Sequence, residues 1–137
     1  MENNETRNRS IVGGIYEAFG RGDVPAILDQ MADDVAWESW PDNSAQKAGV
    51  PWMLGGIGKA AVTGFFQAIS TWIPNDFQVK GLMSGGDTVV AEIEADFTIG
   101  ARRLADCELH LWRFNEAGKV SFFRHYIDTA RHIAVAK

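Results

Sequence analysis

Residues 84–128, SGGDTVVAEIEADFTIGARRLADCELHLWRFNEAGKVSFFRHYID, decide the fold. Ser84-Gly85-Gly86-Asp87, Gly100-Ala101 and Asn115-Glu116-Ala117-Gly118 are turn signals. Between them run stretches rich in β-branched and aromatic residues, which predict strands near 87–99, 102–115 and 119–128, with another near 76–83. Everything upstream reads as helix or short strand. From about Arg9, the positions Ile11, Val12, Ile15, Tyr16 and Phe19 make the stripe of an amphipathic helix, and Gly20 and Gly22 end it. Asp23 caps a second helix with Pro25 in its first turn and Ile27, Leu28 and Met31 on its buried face; Asp33-Asp34 close it. Val35–Trp40 predicts a short strand, with Val35, Trp37 and Ser39 on one face and Ala36, Glu38 and Trp40 on the other. Residues 41–51 predict a polar loop of the kind that borders pockets. A third helix follows over about 58–72, with Ala61, Val62, Phe65, Phe66 and Ile69 inward.

Helices first and a meander after them is the α+β pattern. The expected architecture is a cone-shaped α+β barrel, in which N-terminal helices pack on a strongly curved antiparallel sheet and the wide end holds a cavity. The 137 residues fit one domain, and 46% are hydrophobic, an ordinary globular share. The domain is expected over 9–130, with 1–8 and 131–137 as flexible tails.

The net charge of -5 comes with scattered basic residues, none in a run longer than Arg102-Arg103. A phosphate-tracking surface needs clustered cations, so nucleic acid is not an expected partner. No stretch has the roughly 18 apolar residues of a membrane span, and the polar start lacks the apolar core of a signal peptide, so a cytoplasmic protein is expected. The single cysteine, Cys107, allows neither an intrachain disulfide nor a Cys-based metal site. It alternates with Leu109 and Leu111, as a small buried residue would. The histidines lack HxH or HExxH spacing, so no metal is expected. Gly55, Gly56 and Gly58 before a helix fit neither phosphate-loop spacing, and no cofactor is expected.

Several local motifs resemble the SnoaL-like proteins of the nuclear transport factor 2-like superfamily. They are Tyr16-Glu17-Ala18-Phe19 with Gly22-Asp23, Ala32-Asp33-Asp34-Val35-Ala36-Trp37, and Gly58-Lys59 leading to Phe65-Phe66. The last hairpin adds His110-Leu111-Trp112-Arg113-Phe114, Gly118-Lys119-Val120 and Arg124-His125-Tyr126-Ile127-Asp128-Thr129. The resemblance spans about 9–130 and implies the cone fold; it does not fix a reaction, because this fold carries many. Polyketide cyclases, limonene-type epoxide hydrolases and ketosteroid isomerases of the superfamily each use a carboxylate in the cone. The isomerase base falls at Ser39 and its tyrosine at Ile15, beside Tyr16, which the helix turns elsewhere; the chain is therefore not a steroid isomerase of that type. The cyclase and hydrolase aspartate falls at His125. The hydrolase arginine and aspartate fall at Glu92 and Glu94, or at Asp96 with a register shift.

His125 is the expected catalytic residue. It shares a face of the last strand with Phe123 and Ile127, and imidazole transfers protons near neutral pH when a partner fixes its tautomer. Glu94 and Asp96 are its expected catalytic partners, with Glu38 and Glu92 as further acids of the same cavity. Trp37, Trp40, Trp52, Phe65, Phe123 and Ile127 are expected to line the pocket. His110 and Trp112 join them if the Glu108-His110-Trp112 face is a pocket wall rather than a solvated face or dimer surface. His132 is expected to be solvated. Arg124 and Asp128, on the face opposite His125 with Phe122 and Tyr126, suggest a salt bridge or a contact between copies. The expected partner is a small apolar or aromatic molecule, and a homodimer would cover the ring-rich outer sheet face. Two functions fit: an acid–base enzyme of cyclase, hydratase/hydrolase or isomerase type without a cofactor, or a non-catalytic small-molecule-binding or dimerisation domain.

Overall fold

The computed structural model describes residues 3–137. Helix α1 (Asn4–Gly20) begins where the Asn3 side chain accepts from the Thr6 N–H at 2.8 Å, and it buries Asn8, Val12, Ile15 and Ala18. Helix α2 (Val24–Leu28) is capped by Asp23 and buries Ile27. Strand β1 (Met31–Trp37) follows, then a one-turn helix α3 (Ser44–Lys47), a 3-10 turn (Pro51–Met53), strand β2 (Gly56–Ile57) and helix α4 (Lys59–Ala68). The meander is β3 (Ile73–Gly85), β4 (Thr88–Ile99), β5 (Arg102–Phe114) and β6 (Val120–Tyr126), closed by helix α5 (Thr129–Ala136). Among the described residues no helix is long and apolar enough to cross a membrane.

The six strands form one open sheet in the order β2-β1-β6-β5-β4-β3. The meander pairs antiparallel as expected, but β1 runs parallel to β6, a non-local pairing that turn signals cannot reveal. Register shifts interrupt β3–β4 between Pro74 and Asp76 and between Val79 and Gly81, and β5–β6 between Arg113 and Phe114. Each such irregularity bends its strand and adds twist, and together they curl the sheet around the helices. Val12, Ile15, Val35, Trp37, Val62, Val89, Trp112 and Phe123 form the main core between the two layers.

Three local readings change. Asp33 and Asp34 lie inside β1 rather than closing α2, because the chain turns into the sheet at Met31. The polar loop at 41–51 contains α3, nucleated by the Asn43 side chain accepting from the Ala45 and Gln46 N–H groups. The stretches expected as tails carry helix: α1 starts at Asn4 and α5 covers the last turns, capped by Asp128. Met1 and Glu2 lie outside the described residues.

Candidate active site

The inner face of the sheet is set by alternation. On β5 the even positions Leu104, Asp106, Glu108, His110, Trp112 and Phe114 point inward. On β6, Phe123 and His125 do so, and Ile127 beyond the strand end lies on the same wall. On β4 the odd positions Val89, Ala91, Ile93, Ala95 and Phe97 are buried, so the acids between them face out. Against this face stand Tyr16 and Phe19 of α1, Trp37 of β1, Trp52 and Met53, and Phe65, Phe66 and Ile69 around α4. They enclose a cavity with about 80 Å³ of open space. A groove of about 770 Å³ shares Tyr16, Phe19, Trp72 and Phe77 with the cavity wall, which makes these rings the partition between the two.

The cavity wall is apolar except at one end, where three histidines meet three carboxylates. His125, at the end of β6, is buried, and its Nδ1 is hydrogen-bonded to Glu38. Glu38 also accepts from the His125 backbone N–H at 2.9 Å and from the Trp40 indole N–H at 2.8 Å. All three partners are donors, so Glu38 serves purely as an acceptor and fixes the His125 tautomer with its proton on Nδ1. Nε2 is left for the cavity. Burial alone would depress the His125 pKa; the charge and hydrogen bond of Glu38 outweigh it and raise the pKa above the ordinary value.

Glu38 owes its position to a break in the strand. Its φ of 53° is the one left-handed non-glycine conformation among the described residues, so the chain leaves the pleat after Trp37 and both Trp37 and Glu38 turn inward. Gly55 packs beneath this kink, where a Cβ would stand 2.5 Å from the Trp37 carbonyl oxygen, and Gln46 Nε2 donates to the Glu38 carbonyl oxygen at 2.6 Å. The strain is held by a custom-shaped neighbourhood.

The second imidazole, His110, is tied down on both nitrogens. Trp112 Nε1 donates to the Tyr16 oxygen at 3.1 Å, which leaves the Tyr16 O–H to donate to His110 Nδ1 at 2.6 Å. His110 Nε2–H then donates to Glu108 at 2.8 Å. Burial, with His125 nearby, lowers the His110 pKa, so this imidazole is neutral. Burial would raise Glu108, but hydrogen bonds from His110 and His132 more than reverse it and hold the carboxyl well below its usual range. Burial raises the Tyr16 phenol above its ordinary value.

His132 of α5 makes the third pair. Its Nε2 meets Asp106 at 2.9 Å and Glu108 at 3.5 Å, and the Trp52 indole N–H donates to its Nδ1 at 2.8 Å. Burial opposes charge on this ring, but the hydrogen bonds and charges of Asp106 and Glu108 outweigh it and push the pKa up to about 9. The indole can only donate, so it requires a bare Nδ1 and a proton on Nε2. While that bond stands, the His132 proton is on Nε2; a second proton, on Nδ1, would set two N–H groups against each other and displace the indole.

These tautomers bear on metal binding. One ligand atom from each of Glu108, His110 and His125 lies within 4.8 Å of the others, and the same holds for Asp106, Glu108 and His132. A ligating imidazole needs a bare nitrogen. His132 and His110 both carry their proton on the nitrogen that faces the carboxylates, so His125 Nε2 alone is free to ligate.

The cavity gathers His125, His110, Trp37, Trp52, Phe65, Trp112, Phe123 and Ile127 from the sequence reading. Other placements differ. Glu94 is exposed near Lys80, Glu92 is exposed, and Asp96 binds Arg103 and Asn75 on the outer face. The Arg103 hydrogen bond, followed by that of Asn75, lowers the Asp96 pKa to about 2. The β4 register places all three outside. Trp40 lies outside too, packed on Tyr126 with Arg124 over its ring, on the side away from the buried Trp37. Cys107 is exposed, since odd positions of β5 face outward. Asp128 caps α5 and pairs with Arg131, while Arg124 bonds the Ser39 carbonyl oxygen. Tyr16 and His132, read as turned away and as solvated, both line the cavity. The signal for His132 was present in the Asp128 cap and the apolar Ile133 and Val135 around it.

The SnoaL-like domain model matches residues 12–128. An NTF2-like protein of unknown function from Burkholderia pseudomallei is 26% identical, with a TM-score of 0.76 over 96% of this chain and 98% of that one. TerC, solved with polyporic acid, is 21% identical at a TM-score of 0.73 over 95% and 98% of the two chains. A protein of Xanthomonas campestris pv. campestris, provisionally assigned as a polyketide cyclase, is 21% identical at 0.71 over 98% and 100%. No protein of curated function matches the chain. With most of its length matched and the curled sheet in place, the chain belongs to the SnoaL-like family.

Proposed function

We propose that the cavity takes a small ring-bearing organic molecule and that the Glu38–His125 pair moves a proton on it. The observation behind this reading is the placement of that pair. A buried carboxylate fixes one imidazole nitrogen, and the other is left for a chamber walled mostly by rings and aliphatic side chains. This is the arrangement general acid–base catalysis asks for: a titratable group near neutral pH, held in one tautomer, at the point where a bound molecule's polar atoms must lie. The reactions it fits involve proton transfer next to a carbonyl or hydroxyl, as in isomerisation, cyclisation or hydration. Likeness to a protein provisionally assigned as a polyketide cyclase and to one crystallised with polyporic acid supports a small organic substrate.

The test needs no known substrate. Cyclic ketones and enones are incubated with the protein in deuterium oxide, and exchange of the α-protons is followed by NMR. Exchange above the buffer rate, lost in His125→Asn, is the expected result. Bound ketones that show no exchange above buffer would refute proton transfer and leave a binding domain.

A further inference from the structure

No fixed positive charge lines the polar end of the cavity. Asp106 and Glu108 both line the wall, and neither lysine nor arginine does. Each imidazole is already engaged: His125 has Glu38 as its counter-ion, His110 accepts from Tyr16 on Nδ1, and His132 is paired with Asp106 and Glu108 and accepts from Trp52. Nor does the wall offer a cluster of backbone N–H groups: β5 and β6 spend theirs on the sheet ladder. What remains for a ligand is His125 Nε2, the edges of two carboxylates, and the indole N–H of Trp37, which is buried without a partner. The rest of the wall is rings and aliphatic side chains.

We infer that the site selects uncharged, oxygen-bearing ring compounds, alcohols, phenols and ketones, and rejects carboxylates and phosphates. The inference rests on the proposed small-molecule function and adds the charge class of the substrate. An anionic group at the polar end would face Glu108 across a few ångströms in a medium far less screening than water, where like charges repel strongly. It would also lose its own hydration without a cation to replace it. A hydroxyl loses less, because it can donate to a carboxylate or to the bare Nε2 of His125 at the same place. Its affinity should exceed that of the matched carboxylate by at least about tenfold, since each tenfold is a modest step in binding free energy.

Three ring-matched probes separate the possibilities: benzyl alcohol, benzoate and toluene, each titrated into the full-length protein at pH 7.5. The indole N–H resonances of Trp52 and Trp112 report binding. Benzyl alcohol is expected to saturate at least tenfold below benzoate, with toluene shifting the indoles without that preference. In Glu108→Gln the penalty on benzoate should shrink; Asp106→Asn provides the same comparison if the first variant does not fold. Benzoate binding as tightly as benzyl alcohol would overturn the charge rule while leaving the binding cavity intact. A charge preference unchanged in a folded variant would overturn the assignment to these carboxylates. Failure of all three probes to move either indole would remove the cavity reading, and the charge rule with it.

Discussion

Removing the Glu38 carboxylate is the most informative single perturbation. The side chain is fully buried and accepts from the His125 backbone N–H, from His125 Nδ1 and from the Trp40 indole. Glu38→Ala strands all three donors. A buried donor without a partner costs about 1–3 kcal/mol, and removing one member of a buried charged pair costs about 3–5 kcal/mol. The two figures describe the same lost contacts, so they are not added. The expected loss is about 3–5 kcal/mol, a large share of the roughly 5–15 kcal/mol that holds a domain of this size together. Glu38→Gln keeps one acceptor oxygen and turns an amide N–H₂ toward the remaining donors, so its loss should be smaller, about 1–3 kcal/mol.

The sign of the pH dependence follows from the direction of the His125 shift. Burial lowers its pKa, the Glu38 charge and hydrogen bond raise it more, and the folded value ends above 6.5. A histidine raised on folding stabilises the native state fully below its unfolded pKa. That contribution disappears as pH rises through the folded pKa. The gap in stability between wild type and Glu38→Gln should therefore be widest near pH 6 and narrow toward alkaline pH. Urea unfolding at several pH values measures the gap, and histidine ring NMR follows the titration itself. A Glu38→Ala loss below about 1 kcal/mol, or a gap that widens as pH rises, would refute the pairing as the source of the His125 shift.

If the protein turns a substrate over, His125→Asn should cut the rate by about 10²–10⁴ with the fold intact, as for a lost general acid–base group; an unchanged rate would remove His125 from the chemistry. Trp52→Phe should let His132 take a second proton, so by NMR its titration moves to higher pH; an unmoved titration would refute the indole as the group that sets the tautomer. A small uncharged ring compound at a hundred times its dissociation constant should stabilise the fold by about 2.7 kcal/mol. In Phe65→Ala a thermal-shift screen should show that effect weakened; equal shifts in both proteins would place the ligand elsewhere. The outer sheet face, with Met83, Leu109 and Tyr126 exposed, should pair two copies, and light scattering giving the mass of one chain at micromolar concentration would refute this.

The sequence made the meander and the inner face of β6 legible, because both depend on short-range signals: turn residues and a period of two. Phe123, His125 and Ile127 follow from that period alone. The acid partner did not, because its location depends on an exception to the period. Val35–Trp40 read as one strand puts Glu38 opposite Trp37; the positive φ at Glu38 puts both inside. Glu94 and Asp96 were placed in the cavity by carry-over from relatives. The β4–β5 register, pairing Glu94 with Cys107 and Asp96 with Ala105, puts them on the outer face with the residues they oppose. For His132 the Asp128 cap and the apolar Ile133 and Val135 announce helix α5, but which face of so short a helix is buried comes from packing, through Trp52, Asp106 and Glu108.

The exception at Glu38 links fold and chemistry. An acid on the regular pleat of β1 would have pointed to the outer side, and the parallel β1–β6 pairing would then have left His125 with no carboxylate beside Nδ1. Turning the chain left-handed at one residue brings the carboxylate within reach of both the backbone and the ring of His125. The distortion has a structural cost, met by Gly55 beneath the kink and Gln46 on its carbonyl. A β-carbon at position 55 would collide with the Trp37 and Glu38 carbonyl oxygens, at 2.5 and 2.6 Å. Gly55 thus leaves room for the kink that brings Glu38 to His125 without itself lining the cavity, and the glycine there belongs to the site as much as the residues that line it.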